Sequence, residues 1–296
     1  MQLRTLIKIA GALALVAAVS PVFAAPIFSD NFSTFQNGNL VGQNGYTQYA
    51  TTNQTTGVVT SSSTNPIQVT NGVVTVPGIA ASGTGGATND GQDVFKAFIT
   101  PVNSGSAYVG LSLTVSSAGT TSSYIAGFVD NSTTSNFVNG RIAPRANGDG
   151  TYSLGVRVTG QGGAPFVYGG SLNFNQTYSV VERFNFVTGP NNDTVDLFVN
   201  TPSENGATPY ATGVVNLAAG TETDPTQLGA YDFSQFANST TAQAGYKIGT
   251  AKAATTYSEA FVPASASVVP EANTALLALV GVLPLALVAV RRRKAA

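Results

Sequence analysis

Across 296 residues with a formal net charge of −1, only 9% are charged, against roughly 25% in an ordinary soluble domain, while glycine reaches 32. Cysteine and histidine are both absent, which excludes disulfides, thiolate nucleophiles, Ser-His-Asp and Cys-His catalysis and every histidine-ligated zinc site; carboxylates, Lys, Tyr and hydroxyls remain for any chemistry. Between Ala25 and Val262 seven bases face thirteen acids, a balance that does not favour a nucleic-acid backbone, and the remaining bases sit at the two ends of the chain.

The chain begins as a secretory signal peptide does. Arg4 and Lys8 supply a positive start, Ile9 to Val19 is an apolar run, and Pro21 breaks it. Val22-Phe23-Ala24 then carries the small or aliphatic residues that signal peptidase inspects, so cleavage is expected after Ala24. The apolar run is shorter than the roughly 20 residues a membrane span needs.

From Ala25 to Val262 apolar and polar residues alternate with period two, and helical spacing is nearly missing. The clearest predicted strands are Tyr108 to Val115, Tyr124 to Val129, Tyr152 to Val158, Tyr178 to Val187 and Thr194 to Val199, each rich in β-branched or aromatic residues. Asn71-Gly72, Asn139-Gly140 and Asn147-Gly148-Asp149-Gly150 tolerate positive φ and are predicted as turns. Many short strands without intervening helices predict an all-β sandwich of two packed antiparallel sheets.

The segment Tyr178 to Gly189, followed by Asn192-Asp193 and Thr194 to Asn200, makes a strand, a turn, a second strand and a closing Asn. It resembles the back-sheet hairpin of concanavalin A-like, LamG-type jelly rolls. Ala244 to Thr250 looks like the penultimate strand of that family, and Asp30-Asn31-Phe32-Ser33 looks like its first. The resemblance implies one domain over residues 25–262 and, by fold analogy alone, a glycan ligand.

Catalysis finds little support. Glucanases of this fold carry Glu-x-Asp-x-x-Glu on a strand, so that two carboxylates on one face flank a glycosidic bond. The nearest match, Glu222-Thr223-Asp224-Pro225-Thr226-Gln227, ends in Gln and places Pro where a central strand needs an N–H, so it reads as a loop. Tryptophan, the commonest sugar-stacking platform, is absent, although Tyr and Phe can substitute. Asn191, Asn192, Asp193 and Asp196 gather the hard oxygens calcium takes, but a turn followed by a strand with Asp196 facing solvent is the preferred reading. Asp149 reads as a turn residue. Arg141, Arg145 and Arg157 read as a solvated strand face rather than a site for acidic polysaccharide. No cofactor is expected, with calcium the one metal to test.

Residues 263–269 are small and Pro-containing, as a linker is. Beyond them Val269-Pro270-Glu271-Ala272 precedes an almost purely apolar stretch, Ala275 to Val290, closed by Arg291, Arg292, Arg293 and Lys294. This order over residues 270–296 resembles the PEP-CTERM sorting signal, although the family's third motif residue is usually Pro and here is Ala272. The resemblance implies an exosortase-type processing enzyme as partner. A helix over Thr274 to Val290 covers most of a ~30 Å hydrocarbon core, and the bases behind it favour a cytoplasmic C-terminus. The expectation is therefore an exported protein, held at the cytoplasmic membrane by one C-terminal transmembrane helix with its domain outside. After processing it would pass to the cell envelope or extracellular matrix. A non-enzymatic surface or matrix role is preferred, extracellular polysaccharide is a partner and nucleic acid is not; the rival is a carboxylate-based glycoside hydrolase.

Overall fold

A computed structural model describes residues 26–48, 66–78, 92–121, 123–130, 138–158, 165–214, 223–235 and 242–264. The expected cleavage site at Ala24, the Val269-Pro270-Glu271 motif, the transmembrane helix and the basic stop at Arg291, Arg292, Arg293 and Lys294 lie outside them. No helix among the described residues is long and apolar enough to cross a membrane.

In chain order the strands are β1 (Phe28–Asp30), β2 (Gly38–Asn39), β3 (Tyr46–Gln48), β4 (Gln68–Thr70), β5 (Val73–Val76), β6 (Asp93–Val102), β7 (Ser106–Ser117), β8 (Ala126–Val129) and β9 (Val138–Ala146). There follow β10 (Thr151–Arg157), β11 (Val167–Tyr168), β12 (Leu172–Asn173), β13 (Thr177–Asn185), β14 (Thr194–Val199), β15 (Ala211–Val214), β16 (Leu228–Ser234) and β17 (Gly245–Ala254), and a single turn of helix α1 (Tyr257–Ala260). They pair antiparallel into two sheets. The nine-stranded sheet runs β15-β14-β13-β7-β17-β5-β4-β2 with β1 also on β17; the eight-stranded sheet runs β11-β10-β9-β8-β16-β6-β3 with β12 also on β10. The all-β two-sheet sandwich expected from the alternation is the fold.

The sheets meet because each strand turns its apolar set inward. Val109, Leu111, Leu113 and Val115 of β7 share one core with Ile142 of β9, Leu154 and Val156 of β10, and Tyr231 and Phe233 of β16. Burying each such side chain contributes about 1.5–3 kcal/mol. Two polar links cross this interior. Lys96 of β6 donates to Asp30 of β1 at 2.6 Å, with Tyr46 Oη donating to the same oxygen at 3.0 Å. Tyr231 Oη donates to Glu182 Oε2 at 2.8 Å, while Glu182 Oε1 is buried without a hydrogen-bond partner among the described residues. A Cβ at Gly140 would sit 2.6 Å from that orphan oxygen, so only glycine leaves it room.

Local signals were met unevenly. Asn71 and Gly72 both take positive φ and turn β4 into β5; Gly148 and Gly150 do so between β9 and β10. Asn139-Gly140, expected as a turn, lies inside β9, where Gly140 has φ 56° beside a register shift against β8. Here pairing on both sides overrides the turn propensity, and the positive φ is spent on a bulge. The segment expected as the penultimate strand is β17, the last strand described and a central one, paired with β7 on one side and with β5 and β1 on the other. The β13–β14 hairpin is closed as expected by Asn200, whose Oδ1 accepts from Ser179 N at 3.0 Å.

Candidate functional site

Strand alternation decides what the eight-stranded sheet shows on its outer side. Tyr231 and Phe233 enter the core, so Ala230, Asp232 and Ser234 of β16 emerge on the opposite face. By register the same face carries Asp93 and Phe95 of β6, Gly127 of β8, Arg141 and Arg145 of β9, and Arg157 of β10.

Two acids lie side by side there on adjacent strands. Asp93, directly opposite Ser234, accepts from Ser234 Oγ at 2.6 Å and from Tyr124 Oη at 3.4 Å. Asp232, two residue pairs along, is fully buried between Phe95 and Gly127, and neither of its carboxylate oxygens has a hydrogen-bond partner among the described residues. Burial pushes the Asp232 carboxyl well above its ordinary range and the neighbouring Asp93 adds to this, against an opposing pull from Arg141. Desolvation also raises Asp93, opposed by Ser234 and Arg141. A buried orphan carboxyl costs stability, so its presence on a face rather than in a network points to use.

Beyond the acids stands a row of arginines, each laid on a ring. The Arg141 guanidinium is 4.3 Å from the Tyr124 centroid, Arg145 is 3.8 Å from Tyr168, and Arg157 is 4.9 Å from Phe166. Arg141 and Arg157 are direct cross-strand partners, where like charges repel; the rings spread and hold them. Gly155 makes the Tyr168 platform: a Cβ there would come within 2.7 Å of the ring. Burial raises the Tyr168 hydroxyl to about 12, against the lowering influence of Arg145 and Arg157. The planar forks match carboxylate or sulfate oxygens.

The arginines expected to form a solvated strand face share one face, but each is half-buried against a ring rather than fully solvated. The proposed oxygen cluster does not hold together. Asp196 does not face solvent: it is 5% exposed and takes Arg183 Nη2 at 2.7 Å on the outer side of the nine-stranded sheet, with Thr212 Oγ1 at 2.6 Å and Asn185 Nδ2 at 3.0 Å. Arg183 itself bridges to Glu204 at 2.7 Å, which fixes that whole group. Asn192 and Asp193 turn elsewhere, to Asp224. Residues 223–227 are loop, as expected. Asp149 accepts from Thr151 N at 2.9 Å and is a turn residue. Among the described residues no group of three or more His, Cys, Asp or Glu could hold a metal. Asp93, Asp232 and Glu182 were not singled out from sequence, because single acids at alternating strand positions look solvated until the layer covering them is known.

No family model matches the sequence, and no curated protein matches it. Solved structures resemble it in fold. The CBM2 module of the evolved Dit of Lactobacillus casei BL23 phage J-1 is 11% identical over 77% of this chain and 94% of that one, with a TM-score of 0.44. The carbohydrate recognition domain of Emp47p is 9% identical over 77% and 94%, TM-score 0.43. A β-1,3-glucanase from Mycobacterium marinum is 10% identical over 78% and 99%, TM-score 0.40.

Proposed function

We propose that this chain is an exported surface or matrix protein whose sandwich binds extracellular polysaccharide, without catalysis, on the outer face of the eight-stranded sheet. The observation that carries the reading is the row of Arg141, Arg145 and Arg157, each stacked on an aromatic ring on one face. Rings hold the guanidiniums in place before a ligand arrives, which lowers the ordering cost of binding. Such a row favours a polymer carrying carboxylate or sulfate over a neutral glucan. The full chain, titrated calorimetrically with a uronate-containing polysaccharide and with a neutral glucan, should bind the first more tightly and lose that preference at high salt. Binding to neither ends the lectin reading and leaves a structural one.

Export and sorting rest on the two ends of the sequence. Mass spectrometry of the mature protein from hosts with and without exosortase tests them: loss of Val269 onward that depends on the enzyme supports sorting, and an intact tail in the membrane fraction supports a plain single-span anchor.

A second reading is favoured by one observation, the adjacency of Asp93 and Asp232 on a shared face with both carboxyls raised. A pair of carboxyls is what glycoside hydrolysis needs, one protonated and one ionised. Release of reducing ends from the bound polysaccharide, abolished in Asp232→Asn, would establish the hydrolase; binding without release would exclude it.

A further inference from the structure

We propose that Asp193, Asp224 and Asn192 form a calcium site at the turn between β13 and β14. The site is distinct from the glycan face and does not depend on that reading.

The geometry begins with Asp224, which reaches back from the loop ahead of β16. Its two carboxylate oxygens accept from Asn192 N at 3.1 Å and Asp193 N at 3.2 Å, pinning that loop onto the hairpin turn. Asp193 places one oxygen on Val187 N at 2.7 Å. The other, Oδ2, is buried without a hydrogen-bond partner, on a residue only 2% exposed. Asn192 Nδ2 donates to Thr188 O at 3.0 Å, which fixes the amide and leaves Asn192 Oδ1 likewise buried and without a partner. Two adjacent residues thus bury acceptor oxygens that no donor among the described residues meets, beside a second carboxylate.

Two other buried acids of this fold are answered by a cation, Asp30 by Lys96 and Asp196 by Arg183, whereas among the described residues Glu182 and Asp232 are not. Among the described residues no ion pair answers Asp193 or Asp224. Oxygens left without a donor beside a second carboxylate fit a positive ion. The ligand chemistry selects the ion. Carboxylate and amide oxygens without nitrogen or sulfur suit a hard cation, and an irregular set completed by carbonyls and water suits calcium better than the strict octahedron magnesium demands.

The full chain, stripped with a chelator, is titrated with calcium and followed by calorimetry and by its melting midpoint. One equivalent should bind saturably below about 5 mM and raise the midpoint, with magnesium at equal concentration much weaker. Asp193→Asn and Asp224→Asn should each weaken binding about tenfold or more, and Asn192→Asp, which adds a charged ligand, should tighten it. Asp149→Asn, in an exposed turn, should leave binding unchanged. If either carboxylate variant fails to fold, the wild type against Asn192→Asp decides. No saturable binding by the wild type, binding that survives Asp193→Asn with Asp224→Asn, or an Asn192→Asp no tighter than wild type overturns the site.

Discussion

The two outer faces of the sandwich are built on opposite terms. On the nine-stranded side, α1 lies against β7, where Gly110 admits it so closely that a Cβ would overlap Ala260 O, and Tyr108, Phe198 and Tyr257 pack around it. The acids described there are matched: Arg183 takes both Asp196 and Glu204, and Asp196 has further donors. On the eight-stranded side neither oxygen of Asp232 has a hydrogen-bond partner among the described residues, and three guanidiniums lie over rings on one face. A face whose polar groups satisfy one another is part of the scaffold. A face that leaves a buried carboxyl unanswered holds its groups ready for something else.

The comparison can be broken most forcefully at Gly110. Gly110→Val drives a side chain into the backbone of α1 and should cost about 3 kcal/mol, read as a lowered denaturant midpoint; a neutral result would mean that α1 is not anchored there. Next, Arg183→Leu strands Asp196 and should cost about 2–3 kcal/mol by the same measure, reduced from a fully buried pair because the arginine is partly exposed.

Asp232 should behave in the opposite way. Its carboxyl is raised in the fold, so its unfolded form ionises first as pH rises; the stability present below about pH 4 is lost as pH climbs toward the folded value. Asp232→Asn should therefore gain about 1 kcal/mol at pH 7 and nothing at pH 3, in urea melts across that range. Glu182, raised by burial in the core against the lowering hydrogen bond from Tyr231, gives the same sign, so Glu182→Gln should also flatten the pH profile. If Asp232→Asn destabilises at neutral pH as Arg183→Leu does, the two faces are not different in kind. The smallest effect on stability is expected at Arg145→Gln, within about 0.5 kcal/mol, yet with a loss of about tenfold in affinity for acidic polysaccharide.

Much of this architecture could be read from the sequence. The run from Tyr108 to Val115 alternates over enough residues that only a strand buries one side of it, and Thr194–Val199 was placed to the residue. The five clearest strands, the Asn71-Gly72 turn and the Asn200 closure follow from periodicity and backbone preference, which act over a few neighbours. Gly140 shows where that reach ends. Asn-Gly signals positive φ, and the φ is positive, but whether it makes a turn or a bulge depends on β8 and β10 pairing on either side.

The site was legible only in part. Arg141, Arg145 and Arg157 share parity along two strands, so their common face could be deduced, but the rings beneath them come from Tyr124, Phe166 and Tyr168 through pairing no spacing predicts. Asp93 and Asp232 stand far apart in the chain and meet because β6 and β16 are neighbours. Asp224 reaches Asn192 and Asp193 across a shorter gap, 32 and 31 residues. Composition and alternation by themselves determined an all-β sandwich and removed histidine and cysteine chemistry, because those follow from residue type and local period. Only the tertiary structure decided which acids are answered and which are left alone, since the partner of a buried charge is supplied by whichever strand or loop the topology lays against it.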